Sequence, residues 1–182
     1  MIFDRQWAMP NSKTFQIKPI HSLIAKYKQI CESGSAGGNV IVIDPFANDS
    51  KIAGVTNDLD AQFDTTYHLD ALDFLKIFPD GSVDLVLYDP PYSPRQVAEC
   101  YKKLGRTVDQ QTTQCSYWAK QKKEIARITK QGGFVISCGW NSSGVGKKNG
   151  FEIEEILLVS HGGNHNDTIV VVDRKTSNAS QK

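Results

Sequence analysis

The chain repeatedly breaks polar sequence with short apolar runs that end in an acid. "NVIVID" (39–44) and "SVDLVLYD" (82–89) are the clearest. Successive side chains of a strand point to opposite faces, so a strand that is apolar at consecutive positions buries both. Strands of that kind belong to a parallel sheet covered by helices on either side. The rest of the chain keeps the rhythm. "KIAGVTNDLD" (51–60) holds a shorter strand. "TTYHLDALDFLKIF" (65–78) predicts a brief strand and then helical spacing through Leu69, Leu72, Leu75 and Phe78. "QGGFVISCGW" (131–140), "FEIEEILLVS" (151–160) and "DTIVVVDRK" (167–175) supply three more strands, the last two joined by "HGGNHN" as a hairpin. Helices are predicted for "IKPIHSLIAKYKQI" (17–30), which begins through Pro19, and over 93–104 and 114–130, with Ser116 or a neighbour as a cap. "SGSAGG" (33–38) reads as a flexible exit from the first helix. The expected fold is α/β and Rossmann-like, a mostly parallel seven-stranded sheet with a C-terminal β-hairpin.

At 182 residues one domain is the natural prior, here placed over 1–176 with a polar, flexible tail over 177–182. No apolar run approaches the 18 or so residues of a membrane span, and "MIFDRQWAMPNSK" has no signal-peptide core, so a cytoplasmic location is expected. Cys31, Cys100, Cys115 and Cys138 are widely spaced with no C-x-x-C pair, which speaks against a disulfide frame or zinc site. His161 and His165 have the four-residue spacing of helical metal ligands. Their Gly-Gly and Asn-Asp context makes a turn instead, so no metal is expected.

In open parallel sheets, ligands bind outside the carboxyl ends of the strands. That rule gathers "DPFANDS" (44–50), "NDLD" (57–60), "LDA" (69–71) and "DPPY" (89–92) into one crevice. A carboxylate after the second strand can accept both hydroxyls of a ribose, and one after the third can accept from an exocyclic amine. The chain has neither Gly-x-Gly-x-x-Gly nor Gly-Lys-Ser/Thr, so no pyrophosphate cradle is expected. A nucleoside without phosphates fits better.

The ordered strand ends resemble those of class I S-adenosylmethionine-dependent methyltransferases, in particular the branch with Asp-Pro-Pro-Tyr after the fourth strand that includes small bacterial and phage DNA adenine-N6 methyltransferases. The resemblance spans roughly residues 39–175. It implies S-adenosylmethionine as cofactor, with Asp44, Phe46, Ala47 and Asn48 toward its methionine end, Asp58 and Leu59 at the ribose, and Asp70 and Ala71 at the adenine. Asp60 rivals Asp58, and each of these acids has a plainer reading as a turn or helix cap. Trp7 and Pro10 would belong to a segment that closes over the cofactor. By the same resemblance Asp89, Pro90, Pro91 and Tyr92 are catalytic. The Asp89 carboxylate and Pro90 carbonyl accept from the target amine, Tyr92 stacks on a flipped base, and transfer is direct and in line. The first loop departs from the family's pattern. Gly-x-Gly is absent after Asp44-Pro45-Phe46, and Asn48 is the residue able to take a left-handed backbone in its place.

Charge is uneven. Residues 40–92 hold ten acids against Lys51 and Lys76, whereas 93–130 hold nine bases against Glu99, Asp109 and Glu124. The basic stretch suits a polyanion or, equally, a solvated helix face. Arg95, Trp140, Asn141, Lys147 and Lys148 are the substrate-binding candidates, with Gly144 and Gly146 giving a mobile loop. The partner expected is nucleic acid, DNA foremost. No stretch is long enough for a separate target-recognition domain, so specificity is short, relaxed, or supplied by a partner subunit or second copy. RNA adenine-N6 or guanine-N2 methylation, and a catalytically weak S-adenosylmethionine- or nucleic-acid-binding subunit, are the alternatives.

Overall fold

A computed structural model describes residues 1–35, 38–105, 116–163 and 165–176. Among them, seven strands form one sheet: β1 (Ile2–Trp7), β2 (Val42–Asp44), β3 (Val55–Thr56), β4 (Val83–Tyr88), β5 (Thr129–Gly139), β6 (Phe151–Ser160) and β7 (Thr168–Lys175). Their order is β1-β6-β7-β5-β4-β2-β3. β7 runs antiparallel to its neighbours β5 and β6, and every other pairing is parallel.

The apolar runs do what their composition requires. On β4, Leu85 and Leu87 enter the core on one face of the sheet, while Val83, Val86 and Tyr88 enter the core on the other. Helix α1 (Lys18–Gly34), with Pro19 in its first turn, covers the first face through Ile20, Leu23, Ile24 and Tyr27. Helices α2 (Ala71–Lys76) and α4 (Ser116–Ile128) cover the second through Phe74, Leu75, Ile125 and Ile128. Each such aliphatic or aromatic side chain contributes about 1.5–3 kcal/mol when fully buried. Helix α3 (Pro94–Lys103) follows the Asp-Pro-Pro-Tyr loop directly.

The sheet differs from the expectation at both edges. No element was expected over residues 2–6, and Trp7 was expected in a closing segment; residues 2–7 form edge strand β1, in register from Ile2↔Glu155 to Trp7↔Ser160. Ile2, Phe3 and Trp7 are exposed there, so the strand carries no burial pattern for a sequence reading to detect. The brief strand expected at the start of 65–78 shrinks to an isolated bridge between Asn57 and Tyr67. The count of seven therefore holds with different members.

His161 is a structural residue. Its Nδ1 donates to the Ala8 carbonyl at 2.9 Å and its Nε2 hydrogen-bonds with Thr168 Oγ1 at 2.9 Å, which fastens the chain after β1 to the β6–β7 hairpin. No described helix is long and apolar enough to cross a membrane. The tail over 177–182, Cys115 and the side chain of Ser116, expected as a cap, lie outside what is described.

Candidate active site

The carboxyl ends of β2, β3 and β4 open onto a cleft of about 430 Å³. Its walls are built from loops that hold one another. β2 ends at Asp44, whose Oδ1 accepts from the Phe46 N–H at 3.0 Å and whose buried Oδ2 has no hydrogen-bond partner. The chain then turns through Asn48, the one non-glycine residue with positive φ (49°) among the described residues. Asparagine thus takes the left-handed backbone that glycine would otherwise supply. The Asn48 N–H donates to Asp58 Oδ2 at 2.9 Å, and the Asp60 N–H to Asp58 Oδ1 at 2.9 Å.

Asn57 joins three loops. Its buried Nδ2 donates to the carbonyls of Pro45 at 3.1 Å and Leu69 at 3.0 Å, and its Oδ1 accepts from the Leu69 N–H at 2.9 Å. Asp70 both caps and lines. One oxygen accepts from the Leu72 N–H at 2.9 Å to start α2, and the other accepts from the Tyr101 hydroxyl on α3.

At the end of β4, the Tyr92 hydroxyl donates to Asp89 Oδ1 at 2.5 Å. The Thr14 side chain, brought across the carboxyl edge from β1, also hydrogen-bonds this pair. The Tyr92 ring meets Trp140 edge-on, with centroids 5.6 Å apart.

The interior is crowded with carboxyl groups whose charge burial disfavours. Burial pushes the Asp44 carboxyl up to about 8, with Asp89 and Asp58 adding to the rise and the Phe46 N–H opposing it. Burial also raises Asp89, against the hydrogen bonds from Tyr92 and Thr14, and raises Asp58, against the N–H groups of Asp60 and Asn48. The buried Cys138 thiol is pushed well up by burial and then by Asp89 and Asp44. Lys103 approaches only the rim, 3.9 Å from Asp60. Such a site favours a cationic ligand and offers acceptors to N–H groups.

Phe46, Asn48, Asp58, Leu59, Asp70 and Ala71 line the cleft together with Asp89, Pro90, Pro91 and Tyr92. Asp44 lies buried at the end of β2, and Ala47 borders a smaller hollow of about 30 Å³ beside Lys13 and Thr14. Trp7 and Pro10 do not line it. Pairing with β6 fixes Trp7 opposite Ser160, and the segment reaches the site seven residues later, at Thr14. Arg95 is exposed and paired with Glu99 at 2.8 Å, so it faces solvent rather than the cleft. Asn141 is exposed and accepts from Ser143, while Lys147 and Lys148 are exposed on a 3-10 turn. The loop expected to be mobile is anchored at its centre. The Val145 N–H donates to the buried Asp173 at 2.8 Å, and Lys122 donates to the Gly144 carbonyl.

Thr14, Asn57, Tyr101 and Tyr117 also line the cleft without having been expected there. Asn57 had a signal, since it opens the same "NDLD" segment as Asp58. The others arrive through tertiary packing alone.

No protein-family model matches the chain, and no curated protein matches it either. Solved structures do resemble it. One is the Burkholderia thailandensis 1,6-didemethyltoxoflavin-N1-methyltransferase, with bound 1,6-didemethyltoxoflavin and S-adenosylhomocysteine. It has 11% identity and a TM-score of 0.54 over 85% of this chain and 78% of that one. Another is TrmN from Thermus thermophilus, with 19% identity and a TM-score of 0.51 over 84% of this chain. The match spans about half of TrmN, 48% of its length. At these identities the likeness is one of fold, and the chain has the Rossmann-like fold of class I methyltransferases.

Proposed function

We propose that this chain transfers a methyl group from S-adenosylmethionine to the exocyclic N6 amine of adenine in DNA, with residues 1–176 acting as one catalytic domain. The observation that carries this reading is the Asp89-Pro90-Pro91-Tyr92 loop, which borders a cleft whose other walls present Asp58 and Asp70. The cofactor fits the residues present. A cleft of about 430 Å³ has the size of a small-molecule site. The partnerless Oδ2 of Asp44 suits an ammonium group, and burial with two neighbouring acids makes a cation welcome there. Asp58 and Asp70 each spend one lone pair per oxygen on protein donors and retain others for ribose hydroxyls and the adenine amine. When bound, the cofactor supplies an electrophilic methyl on a sulfonium.

The chain's own task is to make a poor nucleophile competent. The lone pair of an exocyclic amine is delocalised into its ring. Asp89 and the Pro90 carbonyl accept from its two N–H groups and draw that pair out of conjugation. Prolines at 90 and 91 fix φ near −65°, so the acceptors keep their aim with the site empty of substrate. The Tyr92 hydroxyl, now on Asp89, supports the ionised carboxylate against its burial until the amine arrives. The half-exposed Trp140 beside Tyr92 extends an aromatic surface for a flipped base.

Incubation with methyl-labelled S-adenosylmethionine and separate unmethylated DNA and RNA tests the reading. Label in N6-methyladenine of DNA is the expected result. Label in RNA alone would move the substrate to RNA, and cofactor binding without transfer to either would make the chain a binding subunit. Asp89→Ala should cut transfer by at least about 100-fold with the fold retained.

A further inference from the structure

The two groups of one peptide bond in the Asp-Pro-Pro-Tyr loop are held from two different helices. The Pro91 carbonyl accepts from Trp118 Nε1, in the first turn of α4, at 3.0 Å. The Tyr92 N–H of the same amide donates to Gln96 Oε1, in the first turn of α3, at 2.7 Å. The amide is trans, so these groups point in opposite directions within its plane, to either side of the chain. Pinning both leaves that plane no rotation about the chain axis. Gln96 is itself placed by its own N–H, which donates to the capping Ser93 at 3.2 Å. Trp118 is half-buried and meets Tyr117 edge-on, with centroids 5.4 Å apart.

The orientation of this amide decides where the Tyr92 side chain goes. Its Cα follows directly, and its hydroxyl ends on Asp89 at 2.5 Å. Tilting the plane would carry the ring away from Trp140 and take the donor from Asp89. Prolines alone do not prevent this, because they fix φ at 90 and 91 and leave ψ of Pro91 free. We infer that Gln96 and Trp118 are positioning residues, a two-sided clamp on the Pro91–Tyr92 amide that sets the geometry of Asp89 and Tyr92 for methyl transfer. The catalytic half of this inference rests on the function proposed above; the clamp itself does not.

Two readouts keep the halves apart. The first needs no activity. In protein labelled with ¹⁵N-tyrosine, which gives six amide signals, the Tyr92 amide should exchange slowly with solvent. Exchange should be at least about tenfold faster in Gln96→Leu and in Trp118→Phe, which keeps the ring and removes the N–H. The second is kinetic. Each variant should lower kcat by roughly 10- to 100-fold, the scale of a small misplacement of reacting groups, while KM for the cofactor stays near wild type. Because both residues hold one amide, the double variant should lose little more than either single one. Gln96→Glu, which keeps an acceptor, should recover most of the activity.

Tyr92 exchange unchanged in both variants overturns the clamp, whatever the activity. Losses that multiply independently, or that appear in cofactor KM rather than kcat, overturn its catalytic role. Should wild type methylate neither DNA nor RNA, the proposed function fails and the exchange measurement still decides the clamp.

Discussion

Asp44 and Asp173 are both buried carboxylates in the central sheet, and each leaves one oxygen without a hydrogen-bond partner. Their surroundings are opposite. Asp173, on β7, receives the Val145 N–H and has Lys122 nearby, which opposes the effect of burial and holds its carboxyl at about 6. Gly144 packs so close that a Cβ there would lie 2.2 Å from Asp173 Oδ2. The protein has brought its own groups to that carboxylate. Asp44 has Asp89 and Asp58 for company and a carboxyl at about 8. Burial alone therefore does not mark a ligand site. What distinguishes Asp44 is that its charged neighbours share its sign where Asp173 has a lysine, and that it lies at the strand ends where the cleft opens.

Substitutions at the two places should separate them. The largest effect is expected for Gly144→Ala. A left-handed φ of +53° and the contact with Asp173 together predict a loss of about 2–4 kcal/mol in denaturant unfolding, with cofactor affinity of the folded protein unchanged. Unaltered stability would remove Asp173 from its role as a seat for the loop after β5.

Asp44→Asn should do the reverse, weakening S-adenosylmethionine roughly tenfold by calorimetry, as the loss of one charged hydrogen bond would. It should also change how stability depends on pH. The folded protein favours the neutral Asp44 carboxyl, since its pKa rises from 3.8 to about 8. The stability this confers is complete below about 4 and is lost as pH climbs through about 8. Melting temperatures of wild type should fall across that window more steeply than those of Asp44→Asn. The variant keeps a residual slope, because burial also raises Asp58, Asp89 and Asp173. Parallel curves would show that Asp44 does not titrate there.

The smallest effect is expected for Asn48→Gly. Asn48 already occupies left-handed backbone, so glycine should leave melting temperature and cofactor affinity close to wild type. A clear gain in affinity would show that the asparagine side chain hinders the loop.

Much of the site was legible in the sequence because it is written locally. Asp44 ends a strand, Asp58 and Asp89 follow strands and Asp70 follows the isolated bridge at Tyr67, so the rule about carboxyl ends places them together without any knowledge of packing. The left-handed turn at Asn48 was legible for the same reason. What escaped depends on partners far along the chain. β1 hides because its apolar side chains face outward on an edge strand. Thr14 reaches Asp89 through tertiary packing, with Phe15 and Ile17 beside it buried against the sheet. Trp118 lies 27 residues from Pro91, and nothing in the spacing signals that its N–H meets that carbonyl. Among the bases after the motif, Arg95 pairs with Glu99, one helical turn away, a pairing that composition does not reveal.

The pairing of β1 with β6 also sets an order of events during synthesis. Ile2 waits for Glu155, and Trp7 for Ser160. Until those residues leave the ribosome, the strand that leads to Thr14 has no neighbour, although the Asp-Pro-Pro-Tyr loop and the acids of the cleft have long been made. Contacts of such long sequence separation form late. A nascent chain can thus assemble most of the cleft wall while this edge strand is still unpaired, so the sheet should be completed abruptly, with the hairpin.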